Sequence, residues 1–588
     1  MAPVTLGKQH LYKRPGFDSL VTWFVLIVVA VASLTIVSST LYVVFHNYVR
    51  LPYYDEWEMI GHWNDKWRNV DLGWRHLFDQ HNEHRIALPR LVFFTDLGWF
   101  HGTGTFTLTS VIFTQFFHTL VLTRLVSGLF KWRSICSLVA ASLIFILMFS
   151  ALQIENLIWA FQLQFVGVFL FATLAFFFLL QPISEKRAIF SVLKSPFVIG
   201  ILFCLAATFT MSNGLLVWPV GIMIGVQQRW SPRRLLLFLG FTCVTWFVYF
   251  FDFQFNPGHS NPWDELVHFW VLLQYAAIYL GHPISPFWQD YAMGIGFIGI
   301  ILTTFLVVRL TLDRPQQIFN SHSVRTLLAV SIFILLTAIV TASGRIEFGL
   351  QQAASSRYAT PALIYWIATC SILLSINAPS KLGRTSLRYL GAALGFSVVA
   401  SVATFQFTMI PEITQRLTQT RAVAASALLA GIYDKSALQH IHPRPWQIES
   451  TIDVLRENKL SLFSMGFAKL VGQPLEQLVS IESNSYCAGH IDEVTTLSST
   501  QAQLRVRGWA IDRRTGKRAD TVVLVTEGAI TGIAFPGLGR PDVEAIFPGI
   551  KDSGWLGYAK IRPRADLQAY ALLNQGQSAC LLNGSYRQ

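Results

Sequence analysis

The chain has 588 residues, of which 53% are hydrophobic and 13% charged, with a mean hydropathy of +0.45. A soluble globular protein carries about 25% charged residues, so lipid is the solvent for much of this chain and a wholly soluble enzyme is excluded. The net charge of +12 resides in short loops between apolar runs, the positive-inside pattern, and not in a stripe that would grip nucleic acid.

Lys8, Lys13 and Arg14 precede an apolar run over 20–45. The run is too long for a signal-peptide core and lacks a small-residue cleavage site, so it reads as a first span with the N-terminus in the cytoplasm. A long mixed segment follows, over 47–105. Spans are then predicted near 106–127, 134–152, 160–181, 190–210, 213–227 and 234–252, with Lys131/Arg133, Glu185-Lys186-Arg187 and Arg229/Arg233/Arg234 on the N-terminal side. Counting 263–281 as a span would carry Arg309, Asp313 and Arg314 outside. Flanked by Pro257, Pro262, Pro283 and Pro286, it reads instead as an interfacial or re-entrant helix. Further spans at 291–310, 325–342, 359–377 and 388–408 keep Lys381, Arg384 and Arg388 inside, for about 11 spans in all.

The composition changes after Ile410. Residues 411–483 read as an amphipathic helical linker with a break at His442-Pro443-Arg444-Pro445, and 484–588 alternate apolar and polar residues in short runs, the pattern of a small all-β sandwich. The expected organisation is thus a polytopic α-helical membrane domain over 1–410, an extracytoplasmic linker over 411–483 and an extracytoplasmic β-sandwich over 484–588. Cys136, Cys204, Cys243 and Cys370 lie in apolar runs and read as packed small hydrophobes. Cys487 and Cys580 flank the last segment; an oxidising compartment would permit a bridge that spacing alone does not establish.

The loop parity gathers four polar clusters on one side. They are Tyr53-Tyr54-Asp55-Glu56-Trp57, the stretch from Asp79 through His81, Glu83, His84 and Arg85, the turn of Glu155 and Asn156 with Trp159, Gln162 and Gln164, and Ser355-Ser356-Arg357-Tyr358 after Arg345 and Glu347; the Ser212-Asn213-Gly214 turn joins them. Each has an ordinary reading: a hydrated helix start for Asp55-Glu56, surface groups or caps for His81, Glu83 and His84, a capped turn for Glu155 and Asn156, an interfacial anchor for Arg357. Ionisable groups near lipid are costly and face water or one another, so their convergence points to a shared site.

YYDEW directly after the first span, then DQHNEHRI, ENLIWAFQ, SNGLLVWP and SRYAT in order, resemble the GT-C class of integral-membrane glycosyltransferases over roughly 20–410. The set departs from the paired-acid-plus-Tyr pattern of some mannosyl- and aminoarabinose-transferring relatives. The resemblance implies a bacterial inner-membrane enzyme, a polyprenyl-phosphate sugar donor used from the periplasmic leaflet, and an envelope-glycan acceptor (O-antigen of lipopolysaccharide, for example) or a pilin-like protein. It implies Asp55 as general base, with Glu56 its local competitor. Arg357 and Arg85 would meet the leaving phosphate, with Tyr358, His81 and His84 as hydrogen-bond partners. Glu83 would hold Arg85 or sugar hydroxyls, Glu155, Asn156 and Gln162 would contact substrate, and Tyr54, Trp57 and Trp159 would stack on sugar or rim the interface.

No cofactor is expected. Asp79, His81, Glu83 and His84 leave a divalent metal open by ligand type, but the HExxH order is absent. The C-terminal run from RGWAID to SGWLGYAKI resembles a module appended to some bacterial surface-polysaccharide enzymes. Beside the plainer reading of a core Trp and a turn, Trp509, Arg540 and Asp542 are candidates for holding a glycan or protein acceptor near the membrane. The competing functions are a lipid-linked-sugar flippase, which would show midplane charges and inverted repeats, a polysaccharide polymerase or ligase, and a receptor.

Overall fold

The computed structural model describes residues 17–68, 73–129, 135–181, 195–255, 268–312, 321–376, 381–498, 503–562 and 564–587. The charged residues at 8–14, 131–133, 185–187 and 313–314, together with Pro257 and Pro262, lie outside them, as do the side chains of Lys381 and Arg384.

The helices run in chain order as α1 (Phe17–His46), α2 (Glu56–His62), α3 (Ala87–Trp99), α4 (Thr105–Ser127), α5 (Ile135–Met148), α6 (Ile154–Ile158), α7 (Leu163–Leu179), α8 (Pro196–Thr208), α9 (Val217–Gln227), α10 (Pro232–Phe250), α11 (Phe269–Gly281), α12 (Gln289–Leu312), α13 (His322–Arg345), α14 (Ser356–Ser375), α15 (Lys381–Leu429), α16 (Lys435–Leu438), α17 (Pro445–Glu457) and α18 (Leu475–Leu478). Prolines open α8, α10 and α17 at their first turn, where the missing N–H has no intrahelical partner to lose. Among the described residues, 9 helical stretches are long and apolar enough to cross a membrane. The shorter apolar stretches are 196–208, 212–227 and 269–281, of which the first two match predicted spans.

These stretches divide into a centre and a rim. The span in α14 has 89% of its window buried and that of α7 78%, whereas α1 has 11% and α10 22%. The rim helices turn large apolar side chains such as Phe24, Leu236 and Phe247 outward, a surface suited to acyl chains and not to water. Helix α11 has 13 residues and reaches about 20 Å, short of the ~30 Å hydrocarbon core. It is embedded, with Tyr275 to Gly281 buried, and so does not lie on the surface as an interfacial helix would. Its contact with α12 is backbone to backbone: a Cβ on Gly281 would sit 1.8 Å from the Ala292 carbonyl oxygen, and one on Gly296 1.8 Å from that of Ala277. Small residues permit this approach where lipid supplies no hydrophobic drive.

The compositional change at Ile410 is not a chain break. Helix α15 continues through Pro411 for 49 residues, about 70 Å, so its apolar half lies in the helical body and its amphipathic half rises beyond it. There Ala424, Ala425 and Leu428 join one core with Trp57, Ile60 and Phe94 of the first loop, Ile448 and Leu455 of α17, and Val523, Ile530 and Leu572 of the C-terminal domain. The linker residues are therefore packed.

The C-terminal strands are β1 (Ser480–Glu482), β2 (Cys487–Ser498), β3 (Gln503–Asp512), β4 (Lys517–Arg518), β5 (Thr521–Thr526), β6 (Ala529–Ala534), β7 (Gly554–Lys560), β8 (Asp566–Leu573), β9 (Ser578–Leu581) and β10 (Tyr586–Arg587). They form one sheet in the order β1-β9-β8-β5-β6-β7-β3-β2, with β10 on β8 and β4 on β3. The expected sandwich is thus a single sheet curled on itself. The Ile491 N–H donates to the Asn583 carbonyl at 2.9 Å and the Asn583 N–H to that of Gly489 at 3.0 Å, so β2 meets the chain leaving β9 and much of the open edge is removed. Leu504, Val506, Val522, Leu524, Leu567 and Trp555 fill the interior. Arg540 is held by Asp492 and by both oxygens of Asp542 (2.8 and 2.6 Å), and Trp509 packs on Phe547, so both serve this turn.

Cys487 and Cys580 are disulfide-bonded, with Cα atoms 6.2 Å apart and a sequence separation of 93. Because the bond closes a long loop, Cys580→Ser is expected to destabilise the domain by about 2–5 kcal/mol. The measurement is a lower unfolding midpoint in detergent, and dithiothreitol should reproduce it in the wild type.

Candidate active site

The site is assembled from loops at one end of the helical body. The chain reverses at Tyr54, whose φ of +50° lies in the left-handed region, a cost of about 1 kcal/mol or more for a non-glycine residue. The turn is held because the Tyr54 N–H donates to the Ile441 carbonyl at 2.8 Å and its ring lies against Tyr53, Trp159 and His442. Asp55 then opens α2 with its carboxylate lining a cavity of about 470 Å³.

His81 Nε2 lies 4.0 Å from Asp55 Oδ2, and His81 Nδ1 3.6 Å from Glu58 Oε2. Glu58, which sequence reasoning did not single out, is itself held by Arg444 at 3.3 Å and Gln447 at 3.2 Å. His81 and His84 exchange backbone hydrogen bonds of 2.8 and 2.9 Å across Asn82, at φ +49°. This tight turn sends one imidazole to Asp55 and the other to Ser212 Oγ, 2.7 Å from His84 Nδ1. Asp79 faces elsewhere, toward His76 at 2.9 Å and Lys66 at 3.3 Å. The donors considered for a metal do not converge, and no group of three or more His, Cys, Asp or Glu among the described residues is placed to hold one.

The cavity is also lined by Arg357 and Tyr358 from the start of α14, Arg345 from the end of α13, and Ser212 and Asn213 from the turn before α9. Arg357 Nη1 is 3.7 Å from Glu155 Oε1, its guanidinium lies 5.4 Å from the centre of the Tyr358 ring, and that ring stacks on Tyr279 at 4.9 Å. The Ser212 turn requires Gly214, where a Cβ would come 2.0 Å from the Ala207 carbonyl oxygen. Phe165, Phe169, Leu216, Trp246, Phe250 and Val340 give the same cavity an apolar wall. His81 Nε2 and Arg357 Nε are buried there without a hydrogen-bond partner among the described residues.

Of the residues expected at a site, Asp55, His81, Glu83, His84, Trp159, Gln162, Arg357 and Tyr358 line this cavity. The others lie around it. Glu56 accepts from the Tyr53 N–H at 3.0 Å and the Phe161 N–H at 3.2 Å. Trp57 is 0% exposed within the core, where no substrate reaches its ring, and Tyr54 shapes the turn. Arg85 donates to the carbonyls of Tyr249 (2.7 Å), Phe78 (2.8 Å) and Phe251, which engages its guanidinium away from any phosphate. Glu155 holds Arg357. Asn156 Nδ2 donates to the Arg357 carbonyl at 2.7 Å and to Thr360 at 2.8 Å, fixing the turn at which α14 begins.

Burial acts differently on neighbouring acids. For Asp55 it would raise the carboxyl, but His81, with Arg357 and His442 beyond, outweighs it and holds Asp55 below its ordinary value. Burial pushes Glu56 up to about 7 despite its backbone donors and Arg421. His84 is pushed down from 6.5 to about 4 by burial, so it is neutral at neutral pH.

A histidine held neutral in the fold binds a proton more readily once unfolded. The contribution of His84 to stability is therefore complete above about pH 6.5 and lost as the pH falls toward 4. The unfolding midpoint in detergent should drop between pH 7 and 5, and His84→Gln should flatten part of that slope. An unchanged slope would remove His84 from this role.

No family model matches the chain, and no curated protein does. Among solved structures, the oligosaccharyltransferase of Archaeoglobus fulgidus in its apo form is similar at 13% identity and a TM-score of 0.35, over 66% of this chain and 57% of that one. The chain thus spans less than two thirds of that protein, and nothing about chemistry follows from a likeness at this level.

Proposed function

We propose that the chain is an integral-membrane glycosyltransferase of GT-C type, moving a sugar from a polyprenyl-phosphate donor to a hydroxyl of an envelope glycan or a pilin-like protein. The observation that carries this reading is the composition of one cavity: the Asp55 carboxylate beside His81, the Arg357 guanidinium in the same lining, and a large aromatic and aliphatic share. That lining suits an amphipathic ligand with an anionic head and a hydrocarbon tail. The disulfide supports an oxidising, extracytoplasmic side for the C-terminal domain, and the described apolar helices support a multi-pass membrane protein.

In the reaction, the acceptor hydroxyl gives its proton to Asp55 as its oxygen bonds to the anomeric carbon. The bond from that carbon to the phosphate oxygen breaks, and its electron pair leaves with polyprenyl phosphate. Asp55 is ionised at neutral pH and so available as base, while His81, 4.0 Å away, favours that ionised form. Arg357 meets the charge that grows on the leaving phosphate.

Asp55→Asn should lower transfer from undecaprenyl-phosphate sugars in proteoliposomes by about 10²–10⁴-fold with the fold intact; undiminished transfer would sink the assignment. Because His81 is the chief group lowering Asp55, His81→Gln should move the acid limb of kcat/KM to higher pH. An acid limb that stays in place would mean that Asp55 is not the titrating base.

A further inference from the structure

The mechanism above leaves a set of buried amides unused. Gln162 is 1% exposed, Gln164 3% and Asn213 6%, and all three line the cavity. Neither side-chain atom of Gln162 has a hydrogen-bond partner among the described residues, nor has Gln164 Oε1 or Asn213 Oδ1. Turning the Gln162 amide over would pair neither end, since both are without a partner among the described residues.

Away from the cavity, Gln115 and Asn156 each keep one unpaired oxygen but are bonded through the amide nitrogen, and two further buried amides are paired at both ends. Gln153 donates to the Leu147 carbonyl at 2.9 Å and accepts from Gln115 at 3.0 Å and Thr360 at 2.6 Å. Gln406 accepts from the Ala151 N–H at 2.7 Å and donates to Ser39 and Thr40. A buried polar atom left unpaired is costly, so Gln162, unpaired at both ends and lining the cavity, marks a group that a ligand is to satisfy, with Gln164 Oε1 and Asn213 Oδ1 in the same lining.

We propose that these amides form the sugar subsite and select an uncharged sugar on the donor lipid, a hexose or N-acetylhexosamine and not a uronate or a cationic aminosugar; this rests on the glycosyltransferase reading. An amide presents donor and acceptor together, as does a sugar hydroxyl or acetamido group, and carries no charge to balance an ionised substituent. The donor's sugar is favoured over the acceptor's by position. Gln162 and Gln164 stand at the start of α7 directly before Phe165 and Phe169, and Leu215 and Leu216 follow Asn213 into the same cavity. The polar set therefore borders the apolar wall that would receive the polyprenyl chain.

The test measures equilibrium binding to the full chain in nanodiscs, so that it does not depend on turnover. The probes are undecaprenyl phosphate alone and the same lipid carrying glucose, N-acetylglucosamine, glucuronate or 4-amino-4-deoxyarabinose. Wild type should bind a neutral-sugar lipid at least about tenfold more tightly than the bare phosphate, and the charged-sugar lipids no better than the bare phosphate. Gln162→Met and Asn213→Leu should each remove about five- to tenfold of the sugar-dependent gain and leave the bare-lipid Kd unchanged.

Charged sugars bound as tightly as neutral ones by the wild type would overturn the inference, and that arm needs no variant to fold. So would variants that preserve the gain or weaken both kinds of lipid equally, and so would a gain shown only by free acceptor glycan. If no undecaprenyl lipid binds, with or without sugar, the glycosyltransferase reading itself fails. If lipids bind and sugar is transferred while the amides prove indifferent, the inference alone fails.

Discussion

The Glu56 carboxylate joins two parts of the chain that the cavity needs together. One oxygen accepts from the Tyr53 N–H and the other from the Phe161 N–H, 105 residues away, and the Trp159 indole donates to the Tyr53 carbonyl at 3.0 Å alongside. The first loop is thereby stapled to the turn that precedes α7. With that staple in place Asp55, the carboxylate just before Glu56, and Gln162, just after Phe161, line the same cavity. The arrangement also explains why Glu56 tolerates burial: two backbone donors and nearby Arg421 oppose a desolvation that would otherwise push its carboxyl higher still.

A second set of ties brings the C-terminal half of the chain to the same place. Glu58, one turn beyond Asp55, is held by Arg444 and Gln447, and it faces the nitrogen of His81 opposite to the one near Asp55. Ser426 on α15 donates to the Ile533 carbonyl of β6 and accepts from the Tyr558 N–H of β7 at 3.2 Å, and the Tyr558 hydroxyl donates to Asp434 at 2.8 Å. The curled sheet is thus bonded to the helix that rises from the membrane body, and residues 435–457 bridge it to the His81 side of the cavity. A module reached through a loose linker would not supply such a frame.

The helical membrane architecture was legible because lipid imposes long apolar runs, a constraint that survives in a bare sequence. Asp55, His81, Arg357 and Tyr358 were legible for a related reason, since polar residues beside lipid are rare enough to be informative. The sequence could not say which polar residues end on backbone carbonyls. Arg85 has the composition of a phosphate ligand, yet three carbonyls engage it. Trp57 sits in the same motif as Asp55, but helical geometry turns it into the core two residues later. Asn213 was gathered with the polar clusters as part of the SNG turn but given no role of its own; its placement depends on Gly214 allowing contact with the Ala207 carbonyl.

Adjacent carboxyls pushed in opposite directions are a recurrent way of separating roles at neutral pH. Asp55 is held low by His81 and Glu56 is raised to about 7 by burial, so a nominally dianionic Asp-Glu pair carries its full charge only at the cavity-facing member. This matters for a ligand with a phosphate head. Two fixed negative charges beside the reacting carbon would oppose both donor binding and the growth of charge on the leaving group. Asp55, beside an imidazole and within the influence of Arg357, keeps a base available while its neighbour Glu56 adds less charge than a fully ionised carboxylate would. Glu56 therefore supports the proposed chemistry through the position it enforces and the charge it withholds.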